Sequence, residues 1–179
     1  MAAHPLPSAL ETRCNAVFDA VMWALSRPGL VRDLPEPGMA QLFETLIDRE
    51  CAVNCAVSEL ADIAAGCGAA LVALEQADHV FAARVTEDLP GRIMHGSDLH
   101  PEEGATLVAP AVLETGQGVR LRFRGPGVNG ELVTDVGGIP AGFWQTRHRE
   151  TRYPMGFEIL LIDGRRLLGI PRSTMVEVL

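Results

Sequence analysis

Between residues 14 and 26 the apolar side chains fall at Val17, Phe18, Val21, Met22 and Leu25, with Asn15, Asp19 and Ser26 in other directions. That three-and-four spacing predicts an amphipathic helix with those five side chains turned to a core. Ser26-Arg27-Pro28-Gly29 ends it, because Pro28 has no backbone donor and disfavours helical geometry in Arg27. A short strand is expected at 30–34, then a helix at 39–48 that offers Leu42, Phe43, Leu46 and Ile47 to the core, then a strand at 52–57. Ser58 is placed to cap a third helix, which the glycines at 66 and 68 close. The alanine-rich stretches 69–74 and 79–83 suit buried strands, and 89–94 suits one helical stretch. Pro101-Glu102-Glu103-Gly104 reads as a turn into an apolar strand at 105–113.

From 119 to 124 the alternation is strict, Val119, Leu121 and Phe123 against Arg120, Arg122 and Arg124, which predicts a strand with one core face and one basic face. A glycine-rich loop follows, and Pro140 starts a helix that carries Phe143, Trp144 and Arg147. Residues 157–162 and 165–170 are two strand-like runs around Asp163-Gly164, the signature of a β-hairpin with a type I′ turn. No repeat, linker or low-complexity segment interrupts the chain. One domain over residues 1–179 is expected, an α/β layered fold on a mixed sheet, and a chain of this length buries roughly 70% of its unfolded surface.

Composition narrows the function classes. With 47% hydrophobic and 21% charged residues the chain is a folded protein rather than a disordered one. Its apolar runs are shorter than the roughly 20 residues of a membrane span and no leader pattern precedes them, so a soluble cytoplasmic protein is expected. Cys14, Cys51, Cys55 and Cys67 form no CxxC pair and read as reduced thiols, buried as small apolar side chains. All 15 cationic side chains are arginine. Without lysine there is no internal Schiff base for pyridoxal phosphate and no P-loop lysine, so no cofactor is expected. The net charge of −8 disfavours nucleic acid. It is unevenly spread: residues 1–119 hold six Arg against 17 acids, and residues 120–172 nine Arg against five. The later segment is therefore suited to an anion or an acidic partner, although pairing with acids of the same fold is the simpler outcome.

Several groups are candidates for chemistry. Gly125-Pro126-Gly127-Val128-Asn129-Gly130 satisfies GxGxxG, but Gly137-Gly138-Ile139-Pro140 leaves no room for the long helix that receives a pyrophosphate, so a structural turn is expected. With Asp163-Gly164 as the hairpin loop, Glu158 stands opposite Gly169, in space for a poised acid or base or, more simply, for a buried pair with an arginine. Arg172-Ser173-Thr174 after the hairpin sets a guanidinium beside two hydroxyls, suited to a phosphate or to a subunit contact. Glu158 and Arg172 are the catalytic candidates; Arg122, Arg124, Arg172, Ser173 and Thr174 are the candidate phosphate or partner contacts. His4, His79, His95, His100 and His148 show no metal-ligand spacing, so no metal is expected, and there is no GxSxG elbow.

Three segments resemble the PhnH family. The first is residues 18–29, which close on Trp23-Ala24-Leu25-Ser26-Arg27-Pro28-Gly29. The second pairs Pro101-Glu102-Glu103-Gly104-Ala105-Thr106-Leu107 with Leu121-Arg122-Phe123-Arg124-Gly125-Pro126-Gly127-Val128. The third is Tyr153-Pro154-Met155-Gly156-Phe157-Glu158 with Leu168-Gly169-Ile170-Pro171-Arg172-Ser173-Thr174. The departures are Tyr153, Met155, Glu158 and Ser173, where the family usually has Phe, Leu, Asp and Thr. The resemblance implies a three-layer α/β/α sandwich like the large domain of pyridoxal-phosphate transferases, without the cofactor. It also implies a homodimer in isolation and a place beside PhnG, PhnI and PhnJ in the carbon-phosphorus lyase core complex. That complex helps to convert phosphonates into ribose 1-phosphonate 5-triphosphates before the carbon-phosphorus bond is cleaved. The family offers no established catalytic residue, and the expected role is an accessory subunit, not catalytic alone, with the hairpin and residues 172–174 forming a dimer or partner surface. A self-sufficient nucleotide-binding transferase using residues 125–130, or a purely structural dimer, are the alternatives.

Overall fold

Ser8 opens the first helix: its hydroxyl accepts the Glu11 N–H at 3.2 Å while the Glu11 carboxylate accepts the Ser8 N–H at 2.6 Å, a capping box. The computed structural model describes residues 6–179. Its elements are α1 (Ala9–Ser26), β1 (Val31–Asp33), α2 (Ala40–Leu46), β2 (Ala52–Cys55), α3 (Ala61–Cys67), β3 (Ala70–Leu71), β4 (His79–Phe81), β5 (Thr106–Pro110), β6 (Val112–Leu113), β7 (Val119–Arg124), β8 (Leu132–Gly137), α4 (Ala141–Glu150), β9 (Glu158–Asp163), β10 (Arg166–Ile170) and β11 (Met175–Val178). The strands form a seven-stranded sheet, β1-β10-β9-β5-β4-β2-β3, and a four-stranded sheet, β11-β7-β8-β6. From β9 to β3 the large sheet is parallel; at its other edge β10 is antiparallel to β9, and β1 is antiparallel to β10.

Successive residues of the central strands serve opposite faces. Leu160, Ile162 and Val108 pack under the helices α1 to α3, whereas Ile159, Leu161 and Leu107 pack with Leu121, Phe123, Phe143 and Trp144. One outer layer is thus helical, and the other is the small sheet together with α4. The mixed α/β fold with a large mixed sheet is as expected, with the strand of alternating arginines now placed: its apolar face covers the large sheet.

Several elements differ from the sequence reading, each for a local reason. Residues 105–113 are two strands, because the chain leaves the large sheet after Pro110 and Val112–Leu113 pairs with β8. The glycine-rich stretch hides β8, and four residues are too few for β11 to show a period. Residues 69–74 give only the short exposed edge strand β3, residues 89–94 only a 3₁₀ turn at Leu89–Gly91, and the segment at 101 a 3₁₀ turn at Pro101–Glu103. Ser58 begins a 3₁₀ turn (Ser58–Leu60) rather than capping α3, while Gly68, at φ +79°, ends α3 in the left-handed conformation.

The buried face of α1 is Val17, Ala20, Val21 and Ala24; Phe18 and Met22, expected in the core, are 53% and 52% exposed. The helix is turned toward its small residues because it crosses β10 at backbone distance. A Cβ built on Gly169 would lie 2.7 Å from the carbonyl carbon of Ala24, and no larger side chain fits between.

The hairpin loop is Gly164-Arg165, not Asp163-Gly164, since Asp163 pairs with Arg166. Among its central residues only Gly164 has positive φ, +59°, the pattern of a type II′ turn with glycine first. Asp163 is kept in the strand by its carboxylate, which accepts the Leu113 N–H at 3.0 Å and bonds Arg166. The register therefore moves by two residues, and Gly169 faces Leu160 instead of Glu158. The Leu113 N–H, and next the Arg166 guanidinium, hold the Asp163 carboxyl below its ordinary range. A lowered carboxyl pKa contributes stability that is full above the unfolded value and lost as pH falls through the folded one, here below about pH 4. Asp163→Asn should thus lower the melting temperature at pH 7 and flatten its fall in acid. Parallel melting curves of the two proteins from pH 5 to 3 would refute this linkage.

Candidate functional site

Glu158 begins β9, and its carboxylate accepts the backbone N–H of Arg172 at 2.8 Å and a guanidinium N–H of the same residue at 3.1 Å. The two side chains are 20% and 26% exposed. Arg172 sits in a turn closed by the Thr174 N–H on the Pro171 carbonyl at 2.9 Å, so one carboxylate fixes both the turn and the side chain it displays.

Arg147 of α4 holds the same turn from inside. It is 3% exposed, and its two terminal nitrogens donate to the carbonyls of Thr174 at 3.1 Å and Pro171 at 3.2 Å. Its guanidinium carbon is 5.8 Å from the centre of the Phe157 ring. Burial pushes its pKa down to about 10, partly opposed by the Glu158 carboxylate. Its Nε, the hydroxyls of Thr174 and Thr151 and the indole N–H of Trp144 are buried without a hydrogen-bond partner among the described residues. Arg147 was visible in the sequence only as a passenger on the predicted helix. The signal was its spacing, since it shares one helix face with Phe143 and Trp144, both about 1% exposed.

The segment 95–104 closes the rim. The Gly156 N–H donates to the His95 carbonyl at 2.9 Å, and His95 itself contacts the Pro90 carbonyl at 2.7 Å with its ring centre 5.3 Å from that of Phe157. Glu102 is held below the ordinary carboxylate range by the local backbone, then by His100 and by the field of Arg172. Arg172 is therefore paired with Glu158, with the Glu102 carboxylate within reach of its field. An anion arriving here competes with the Glu158 carboxylate for the same guanidinium.

The other candidates are scattered. Arg122 and Arg124 project from the outer face of β7 as expected, but Glu177 lies 3.1 Å from Arg122 and Glu131 2.7 Å from Arg124, with 3.6 Å between Glu131 and Arg122. They line a cleft of about 240 Å³ with His148, and Glu177 lines it too. Ser173 is half-buried, whereas Thr174 is 2% exposed, so its side chain is packed inward and not displayed. The hairpin strands stand inside the large sheet, covered on both faces, which leaves the exposed loop Gly164-Arg165 at one end and residues 172 and 173 at the other as the parts of the expected hairpin surface within reach of a partner. The turn 125–130 leads into β8 and not into a helix, and a Cβ on Gly127 would lie 2.3 Å from the Ser26 carbonyl oxygen. Gly127 lets the turn pack on the end of α1, and Gly125 lets it pass the Ser173 carbonyl. All four cysteines are free, and no group of three or more metal-binding side chains occurs among the described residues; His4 lies outside them. No described helix is long and apolar enough to cross a membrane.

Residues 9–177 match the family model of the bacterial phosphonate metabolism protein PhnH. A relative from Stutzerimonas stutzeri, described as a putative C-P lyase subunit protein HtxG, is 33% identical over 189 residues, with 99% of this chain and 95% of the relative covered.

Proposed function

This chain belongs to the PhnH family of bacterial phosphonate-metabolism proteins, and from that premise we propose that it works as an accessory subunit of a cytoplasmic carbon-phosphorus lyase core complex. Its partners are then PhnG, PhnI and PhnJ, with a homodimer when it is alone. The step it supports is the conversion of phosphonates to α-D-ribose 1-phosphonate 5-triphosphate, without a cofactor of its own and on a scaffold akin to the large domain of pyridoxal-phosphate transferases. Arg172 and Ser173, fixed by Glu158 and Arg147, are the displayed pair in this reading, and they touch a phosphate-bearing substrate or an acidic neighbour.

The observation that carries the assembly reading is the outward side of α1. Phe18 and Met22, one turn apart, are each about half exposed, and the Trp23 ring on the same helix has the guanidinium groups of Arg27 and Arg32 at 5.3 and 5.2 Å from its centre. Large apolar and aromatic side chains with flanking arginines are the composition of interface cores. Mixed with PhnG, PhnI and PhnJ, the protein should co-elute with them. Phe18→Asp should weaken that association at least tenfold while leaving the melting temperature within a few degrees, as an interface anchor worth about 2 kcal/mol requires. Separate elution of the unaltered chain would sink the reading.

A further inference from the structure

The parallel part of the large sheet contains a reversal of direction. From β2 the chain proceeds through α3 to β3 on one side, and from β4 it proceeds to β5 on the other. The two connections cover opposite faces: Leu60 and Ala64 pack with the helical layer, whereas Val85, Leu89 and Ile93, between β4 and β5, pack in the other core. In open α/β sheets this arrangement parts the connecting segments at the carboxyl ends of the two strands and leaves a crevice there, where ligands bind. A cleft of about 430 Å³ lies at that place, lined by Val57 and Leu60 beyond β2, Ala83 beyond β4, Pro110 at the end of β5, and Met39 and Glu59. It is at the opposite end of the strands from Glu158, which starts β9 beside Thr106 at the start of β5.

The lining chooses the chemistry. Every named wall is apolar except Glu59, the one charged side chain among the described lining residues, and Glu59 is exposed at the rim. Its carboxylate accepts a single hydrogen bond, from the Ser58 hydroxyl at 3.1 Å, and retains free acceptor positions. A phosphate or carboxylate ligand would meet this charge, and none of the lining residues is a cation. We propose that the switch-point cleft binds a small molecule with an aliphatic or aromatic body and a protonated amine, the body against Val57, Leu60 and Pro110 and the amine on the Glu59 carboxylate. This site is separate from the displayed Arg172 and does not depend on the assembly role.

Titration of the full chain with hexylammonium and, separately, hexanoate, followed by amide NMR shifts, tests it. Hexylammonium should move the amides of residues 57–60 and 83 and bind about fivefold more tightly than hexanoate, the factor that corresponds to roughly 1 kcal/mol for an exposed ion pair. Glu59→Gln should level the two ligands. Ala83→Trp, at an exposed position, should fill the cleft and remove the shifts without lowering the melting temperature. Hexanoate binding as well as hexylammonium, shifts centred elsewhere, or no shifts at these amides would overturn the proposal.

Discussion

Gly169→Ala should lower the melting temperature by about 6–12 °C, the largest single effect expected in this fold. The added methyl would stand 2.7 Å from the Ala24 carbonyl carbon and 2.8 Å from its oxygen, well inside van der Waals contact. The obstacle is backbone on both sides: β10 is hydrogen-bonded between β1 and β9, and Ala24 belongs to the last turns of an 18-residue helix. Neither can give alone, so α1 must lift as a body and thin the core of Val17, Ala20, Val21 and Leu167 beneath it. Overpacking of this kind costs about 3 kcal/mol, and for a chain of this length each kcal/mol moves the midpoint by about 2–4 °C. Gly66→Ala is the internal control. It lies inside α3 with nothing within 4 Å of its added methyl, and should raise stability by about 0.5–1 kcal/mol through helix propensity. Thermal unfolding by circular dichroism of the three proteins measures both; an unchanged midpoint for Gly169→Ala would mean that α1 does not lie against β10 as described.

That contact also marks where sequence reasoning ran out. The α1 period was legible, but its phase was not, because Val17, Phe18, Val21 and Met22 form a more hydrophobic stripe than Val17, Ala20, Val21 and Ala24, and only the approach to Gly169 selects the small one. The signal was present in two places, two alanines four apart and a glycine within an otherwise bulky strand. A capping box at Ser8 and Glu11 was equally readable and would have started the helix where it starts. The hairpin was legible in existence but not in register, since the choice between Asp163-Gly164 and Gly164-Arg165 rests on a long-range partner, the Leu113 N–H, fifty residues away. The alternating strand at 119–124 was correct on both faces. Its charge was not free, however, because Glu131 and Glu177 arrive on β8's approach and on β11, elements that the sequence did not reveal. The site followed the same rule: Glu158 and Arg172 could be nominated by type and position, but Arg147, which holds their turn, comes from a helix whose pairing with residues 171–174 only the fold supplies.

Arg147→Met should lower the midpoint by about 4–8 °C, through two opposing terms. Burial disfavours the charged guanidinium, as its pKa of about 10 records, so its removal relieves a desolvation penalty of about 3 kcal/mol. Methionine fills similar space beside Phe157 but offers no donor, and the carbonyls of Pro171 and Thr174 lose charge-assisted bonds at 3.2 and 3.1 Å, each worth about 1.5–3 kcal/mol. Together with the lost contact to Phe157, the deficit is about 2 kcal/mol, which converts to the stated shift. The pH dependence has a definite sign. Between pH 7 and 9 the group is protonated in folded and unfolded chains alike, so the difference between wild type and variant should be flat. Above about pH 10 the unfolded chain binds the proton more tightly than the folded one, so the wild type gains from this group with rising pH and the difference widens. Denaturant titrations of both proteins at pH 7, 9 and 10.5 would show it, and a variant as stable as wild type would mean that the turn carrying Arg172 stands without its buried clasp.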